Sequence, residues 1–190
     1  MTLCVDPLRT RLPGWLLLGW LALTATPAQA FDIESIHPHW DRDVLRLDAR
    51  LDFSLTQEAR TALENGVPLV LLLQIEVLEP RDYLWDKVVA RLRQRYRLSY
   101  HALSERYIVQ RLNTGVRTSF PSLEGALYSL GRVEALPVLD RSLLQPGHQY
   151  YGLLRISLDT EALPTPLRVW AYVSADWRLS SDWHPWPLQP

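Results

Sequence analysis

The stretch LRLDARLDFSL, residues 45–55, decides the fold class of this protein. Every second residue in it is apolar, and charged or polar residues occupy the positions between them. The apolar residues are Leu45, Leu47, Ala49, Leu51, Phe53 and Leu55. Because successive side chains of a β-strand point to opposite faces, this alternation predicts a strand with one buried face and one solvated face. Strands of this kind are typical of antiparallel sheets.

Six further segments carry strand patterns. They are residues 67–79, 88–100, 106–112, 132–139, 150–159 and 167–183. The segment 132–139 is expected at the edge of a sheet, because Pro137 has no N–H to donate to a neighbouring strand.

Two short segments carry helix patterns instead. Thr56 is the predicted N-cap of the first helix, which ends near Gly66. Ser122 is the predicted N-cap of the second helix, and Gly131 is expected to stop it at the C′ position. Together with the strands, these helices predict a mainly β fold. We expect an antiparallel, immunoglobulin-like β-sandwich of about seven or eight strands with two short helices.

Residues 1–30 have the three regions of a secretory signal peptide. Two arginines precede an apolar run of about 14 residues, 12–25, and the sequence Ala-Gln-Ala at residues 28–30 offers the small side chains that a signal peptidase reads. A membrane-spanning helix needs about 20 apolar residues, so we expect cleavage after Ala30, with an uncleaved membrane anchor as the alternative. Residues 31–190 would then form a single periplasmic domain.

Composition excludes two classes of function. The formal net charge is −1, whereas a nucleic acid partner calls for a strongly basic surface. Cys4, the only cysteine, lies in the predicted signal peptide. The exported domain therefore has no disulfide, no thiol chemistry and no cysteine-ligated metal site, and it must be held together by packing.

Four arginines share one face of the predicted strand 88–100. They are Arg91, Arg93, Arg95 and Arg97, and they are the candidate partner-binding residues. Guanidinium groups suit carboxylate and phosphate, so this face could bind an acidic partner. The alternative is that the arginines pair within the fold, across strands, with Asp48, Asp52 or Glu76. Arg106 and Arg111 are expected on the neighbouring strand.

The C-terminal segment RLSSDWHPWPLQP, residues 178–190, contains two candidate ligand-stacking residues, Trp183 and Trp186. Exposed indole rings would stack on a sugar or a partner peptide. The alternative is that these tryptophans fill the core, since each such ring buries roughly 150–250 Å². Trp177 and Leu179 are expected over the core in either case.

The sequence contains none of the common catalytic motifs, and no catalytic residue, cofactor or metal site is predicted. His37, His39, Asp41 and Asp43 resemble part of a chelate, but no third histidine lies nearby, and a zinc site needs three or four converging ligands. An active site assembled from scattered residues remains an alternative.

Four motifs resemble one known family. They are LSYHALSERYIV (98–109), FPSLEGALYSLG (120–131), YYGLLRISLDTEALPTPLR (150–168) and DWRLSSDW (176–183). They are similar to an uncharacterised proteobacterial envelope family, domain of unknown function 4390, and the similarity covers about residues 36–186. The resemblance implies a periplasmic protein of Gram-negative bacteria, encoded in many cases beside a nitrogen-responsive membrane histidine kinase. It implies no activity and no catalytic residues.

Three functions follow as hypotheses. The first is a non-catalytic periplasmic module that binds a periplasmic or membrane protein, as an accessory to a membrane sensor kinase. The second is a binding protein for an envelope glycan or small ligand that uses the C-terminal tryptophans. The third is a hydrolase without a recognisable motif. No nucleic acid partner is expected, and a membrane contact is expected only through an uncleaved signal peptide.

Overall fold

A computed structural model describes residues 31–189, which form nine β-strands and three α-helices. The strands are β1 (Phe31–Asp41), β2 (Val44–Phe53), β3 (Leu69–Glu79), β4 (Lys87–His101), β5 (Arg106–Arg111), β6 (Arg117–Phe120), β7 (Arg132–Asp140), β8 (Tyr150–Leu158) and β9 (His184–Leu188). The helices are α1 (Gln57–Glu64), α2 (Leu123–Gly131) and α3 (Thr165–Val173). The predicted signal peptide, its cleavage after Ala30 and Cys4 lie outside the described residues. No helix within 31–189 is long and apolar enough to cross a membrane.

The strands form two open antiparallel sheets. One has three strands in the order β1-β2-β7, and the other has six in the order β6-β5-β4-β3-β8-β9. The mainly β, antiparallel prediction is confirmed, although the described part of the chain has nine strands instead of seven or eight. This strand order does not show an immunoglobulin-like topology. Pro137 lies in β7, an edge strand, as its missing N–H requires.

One apolar core joins the two sheets. The period-two residues of β2 are all buried, and they share one core cluster with five alternating residues of β3, which are Leu69, Leu71, Leu73, Ile75 and Val77. The rings of Phe31 and Phe53 pack edge to face at 5.0 Å where β1 and β2 pair. The outer face of the six-stranded sheet is directed away from this core.

Both predicted helices form, and both predicted N-caps are confirmed. The Thr56 hydroxyl accepts a hydrogen bond from the Ala59 N–H at 3.3 Å, and that of Ser122 accepts one from the Gly125 N–H at 3.1 Å. The expected role of Gly131 was wrong, because it is the last residue of α2 and does not have a positive φ. A Cβ there would lie 2.2 Å from the Leu51 carbonyl oxygen, so this glycine lets α2 approach β2 closely.

The predicted strand 167–183 was wrong. Its first part is α3, a 3-10 turn at Ala175–Trp177 follows, and the last strand, β9, begins only at His184. Residues 169–173 are all apolar, so neither a period of two nor one of 3.6 can be read from them. Pro166 at the first turn of α3 favours the helix.

The strands give the molecule two opposite ends, which we call the N-terminal end and the hairpin end. At the N-terminal end, Phe31 pairs with Phe53, and Thr56 donates a hydrogen bond to the Asp176 carbonyl at 2.9 Å, just beyond α3. At the hairpin end, the loop of residues 80–86 joins β3 to β4. The last described residue also lies at the hairpin end, since the Trp40 indole donates to the Gln189 carbonyl at 2.9 Å. β1 runs between the two ends, and its 11 residues span roughly 35 Å.

Candidate functional site

The four arginines predicted to share a strand face do share one. All of them lie on the exposed side of β4. Their partners across the β3–β4 pairing are Glu76 for Arg91, Gln74 for Arg93, Leu72 for Arg95 and Val70 for Arg97. Only the first of these partners carries a charge, so the strand pairing by itself cannot neutralise the row.

Two of the four arginines have acidic partners. The Arg91 Nε lies 2.6 Å from the Glu76 Oε1, and the Arg95 Nε lies 3.5 Å from the Asp159 Oδ2. Pairing with Glu76 is therefore confirmed. Pairing with Asp48 or Asp52 was wrong, because both belong to β2 in the other sheet.

The other two arginines are open. Within residues 31–189, the guanidinium groups of Arg93 and Arg97 make no ion pair and no hydrogen bond. Outside the strand pairing, Arg93 takes part in a hydrogen bond through its backbone carbonyl, which accepts from the side-chain amide of Asn113 at 3.4 Å. Paired and open arginines thus alternate along β4.

Neighbouring strands extend this basic surface. We call it the arginine face, and its members are Arg91, Arg93, Arg95, Arg97, Arg106, Arg117 and Arg155. The Arg106 guanidinium donates to the Ser119 hydroxyl and carbonyl, both at 3.2 Å. Arg111 does not belong to it, because it pairs with Tyr96 and points to the opposite side of the sheet. The face therefore carries more positive charge than Glu76 and Asp159 can balance.

The two candidate stacking tryptophans lie on opposite sides of the sheet. Trp186 is 3% exposed, and its ring covers Gly152 on the core side. The expectation that Trp186 stacks on a ligand disagrees with this burial, and the reason is geometric. Residues three apart on extended backbone point in opposite directions. Trp183 is half-buried on the outer side, where the Arg155 guanidinium carbon lies 5.8 Å from its ring centroid.

A polar cluster that the sequence did not reveal holds the base of the β3–β4 hairpin. Glu79 is 9% exposed, and its carboxylate lies 2.7 Å from the His148 Nδ1 and 3.1 Å from the Lys87 Nζ. Next to it, Asp86 accepts hydrogen bonds from the Tyr151 hydroxyl and from the Arg81 N–H. His148 is 69 residues from Glu79 in the chain, so no local pattern signals the contact.

The hydrogen bond from His148, followed by the one from Lys87, lowers the pKa of Glu79 below its usual 4.5. A lowered pKa stabilises the fold at pH values above the unfolded-state pKa, and this stabilisation is lost as the pH falls through the folded-state pKa. We therefore expect Glu79→Gln to lower the urea midpoint at pH 7, and the difference from wild type to shrink once the pH falls below 4.5. Exposed Glu34→Gln is the control and should change the midpoint at neither pH. A Glu79→Gln deficit that stays constant down to pH 3 would contradict the ionic role.

The described residues form no group of three or more His, Cys, Asp or Glu side chains that could hold a metal ion. His39 instead lies 3.3 Å from Asp48 through its Nδ1. A groove between β2 and α2 is lined by charged residues, including Arg60 and Glu124, which lie 3.7 Å apart.

Comparison with known proteins gives one match. The model of a family described as Domain of unknown function (DUF4390) matches residues 28–187, which confirms the resemblance drawn from the four sequence motifs. No curated protein and no solved structure matches the chain.

Proposed function

The chain belongs to the DUF4390 family, and we propose that it is a non-catalytic, exported module whose arginine face binds an acidic surface of another envelope protein. The specific partner we propose is the periplasmic sensory part of a membrane kinase. The observation that carries the proposal is the pair of open guanidinium groups, Arg93 and Arg97, which sit among arginines that are already paired.

The arrangement suits a docking surface. Like charges two residues apart on a strand repel each other, and the residues opposite Arg93 and Arg97 on β3 are the neutral Gln74 and Val70. A partner carboxylate would relieve this repulsion and could accept two parallel hydrogen bonds from one guanidinium. Meanwhile, the ion pairs of Arg91 and Arg95 hold the row in position. Such a surface contributes most to the association rate and to the choice of partner.

The location of the protein is part of the proposal. We propose export through residues 1–30, cleavage after Ala30 and a periplasmic domain over residues 31–190. Cell fractionation with mass spectrometry of the N-terminus tests this. Recovery of the chain in the cytoplasm would contradict it.

The proposal is tested with the double variant Arg93→Glu/Arg97→Glu and the periplasmic domain of the kinase as the probe. We expect its affinity to fall by about tenfold or more at low ionic strength, because two attractive contacts become repulsive. The deficit should shrink as salt is added, since exposed charges are screened within a Debye length of about 10 Å at 0.1 M. Titration calorimetry at two salt concentrations measures both effects.

The matched control is Arg42→Glu/Arg50→Glu, which changes the net charge equally. Arg42 lies in the β1–β2 turn, and Arg50 is exposed on the three-stranded sheet. This control should bind like wild type. Equal losses in both double variants would reduce the effect to net charge and reject the arginine face as the site.

Binding of an envelope glycan or small ligand is the second candidate. Its support is reduced to Trp183, the half-buried indole beside Arg155, because Trp186 belongs to the core. Trp183 lies on the arginine face, so an anionic ligand would use the same surface as the proposed protein partner. A hydrolase, the third hypothesis, would have to use a group such as the polar cluster at the base of the β3–β4 hairpin, where Glu79, His148 and Lys87 pair with one another.

A further inference from the structure

A groove of about 420 Å³ lies between β8, α3 and the segment that follows the 3-10 turn Ala175–Trp177. Its volume is typical of sites that bind small molecules. Among the described residues, two arginines, three hydroxyl side chains and one tyrosine line it, and they are Arg155, Arg178, Ser157, Ser180, Thr160 and Tyr172. None of the described residues that line the groove is acidic. The groove therefore presents two positive charges and several hydrogen-bonding groups to a ligand.

Both arginines of the groove lack an anionic partner. Within residues 31–189, the guanidinium groups of Arg155 and Arg178 form no ion pair and no hydrogen bond, and the Nε atom of Arg155 is buried. The Arg155 guanidinium carbon lies 5.8 Å from the Trp183 ring centroid, and the ring carries no formal negative charge. A cation that is partly removed from water without a counter-charge is unfavourable. An anionic ligand would supply that counter-charge.

The acidic residues on either side of Thr160 in the chain have other partners. The Tyr172 hydroxyl donates a hydrogen bond to the Glu161 carboxylate, which also lies 3.8 Å from the Arg168 Nη1. The Asp159 carboxylate lies 3.5 Å from the Arg95 Nε. Neither acidic residue lines the groove, so neither neutralises its two arginines.

The hydroxyl groups of the groove are also available to a ligand. Ser157 and Ser180 lie opposite each other in a β-bridge, and beside them the Leu158 N–H donates to the Leu179 carbonyl at 2.8 Å. The backbone under both serines is therefore fixed. In the described part of the chain, neither serine hydroxyl nor that of Thr160 makes a hydrogen bond. Groups held on a fixed backbone bind a ligand with a smaller loss of conformational entropy.

We propose that this groove binds a phosphorylated sugar. The phosphoryl group has several oxygens that accept hydrogen bonds from the two guanidinium groups and the hydroxyls, and the planar guanidinium matches phosphate geometry. The groove is larger than a phosphoryl group alone requires. The Tyr172 ring, fixed by its hydrogen bond to Glu161, offers the sugar an apolar surface. This site is separate from the proposed protein contact, because Arg93 and Arg97 do not line it.

Titration calorimetry with glucose 6-phosphate, inorganic phosphate, glucose and glucuronate tests the class of ligand. We expect glucose 6-phosphate to bind most tightly, because it alone offers both the phosphoryl group and the ring. Glucuronate has a similar ring but carries a carboxylate with a single charge, so it should bind about tenfold more weakly or worse. Glucuronate or glucose binding as tightly as glucose 6-phosphate would overturn the proposal. Absence of binding by both phosphate compounds at millimolar concentrations would also overturn it.

Single charge-removing variants test the place of binding. Arg178→Gln should weaken the binding of glucose 6-phosphate by about tenfold or more, since a charge-assisted hydrogen bond is lost. Arg178 is exposed, so its urea midpoint should equal that of wild type. The matched control Arg117→Gln removes the same charge from the arginine face, outside the groove, and should bind like wild type. Equal weakening in the two variants would reduce the effect to net charge and overturn the groove as the site.

Arg155→Gln tests the half-buried arginine in the same way. We expect a loss of glucose 6-phosphate binding at least as large as that of Arg178→Gln, because this guanidinium is already partly removed from water. Its urea midpoint separates loss of the ligand contact from loss of the fold. Unchanged binding in a folded Arg155→Gln protein would contradict the proposal.

Discussion

Replacing Trp186 by alanine is expected to lower the free energy of unfolding by about 3–5 kcal/mol. The indole is 3% exposed and covers Gly152 on the neighbouring strand β8. Alanine would remove this buried area and leave a cavity beside the Gly152 backbone. Urea denaturation measured by circular dichroism gives the loss.

Two variants make this result specific. Trp85 is 93% exposed, so Trp85→Ala removes the same side chain from water and should change the unfolding free energy by less than about 0.5 kcal/mol. Trp186→Phe should cost much less than Trp186→Ala, because the buried Trp186 Nε1 has no hydrogen-bond partner among the described residues and phenylalanine therefore loses no bond. If Trp186→Ala were as harmless as Trp85→Ala, β9 would not be part of the core.

Replacing Gly152 by alanine is expected to destabilise the fold by about 2–3 kcal/mol. A Cβ at this position would lie 2.0 Å from the Cε2 and Cζ2 atoms of Trp186, far inside van der Waals contact. The bulky indole would have to leave its place over β8. A glycine inside a strand often marks such a close approach, and here the ring covers the gap that the missing side chain leaves.

A double-mutant cycle separates this clash from any general effect of alanine in β8. In the Trp186→Ala background the added methyl group meets open space, so Gly152→Ala should cost less than about 1 kcal/mol there. Urea midpoints of the four proteins give the coupling between the two sites. Equal costs in both backgrounds would show that the indole is not what excludes a side chain at residue 152.

Local patterns predicted much of the fold because their physical causes are local. The alternation in residues 45–55 became β2, with its apolar residues buried, since the pleat of a strand involves only adjacent residues. Thr56 and Ser122 became N-caps, because a capping hydroxyl reaches an N–H three residues away.

Local patterns failed where their signal is ambiguous or interrupted. Residues 169–173 are apolar at every position, and they form part of a helix instead of a strand. β1 was not predicted because a register shift between Ile33 and Ser35 interrupts its alternation. β6 has only four residues and a polar composition, so it carries almost no hydrophobic signal.

The same distinction between local patterns and tertiary contacts applies to the candidate site. That Arg91, Arg93, Arg95 and Arg97 share a face follows from the sequence, because side chains two apart on a strand point the same way. Which of them is paired does not. Asp159, the partner of Arg95, reaches it only because β8 joins the same sheet through β3.

The sequence by itself therefore determined the strands β2, β3, β4, β5, β7 and β8, the two capped helices and the single basic face of β4, because each depends on residues that are close together in the chain. The tertiary structure decided which strands are neighbours. That choice placed Asp48 and Asp52 in the other sheet, paired Arg91 and Arg95, and left Arg93 and Arg97 open. It also turned Trp186 into the core. The physical reason is that ion pairing and burial depend on contacts between residues distant in the chain, which no local period encodes.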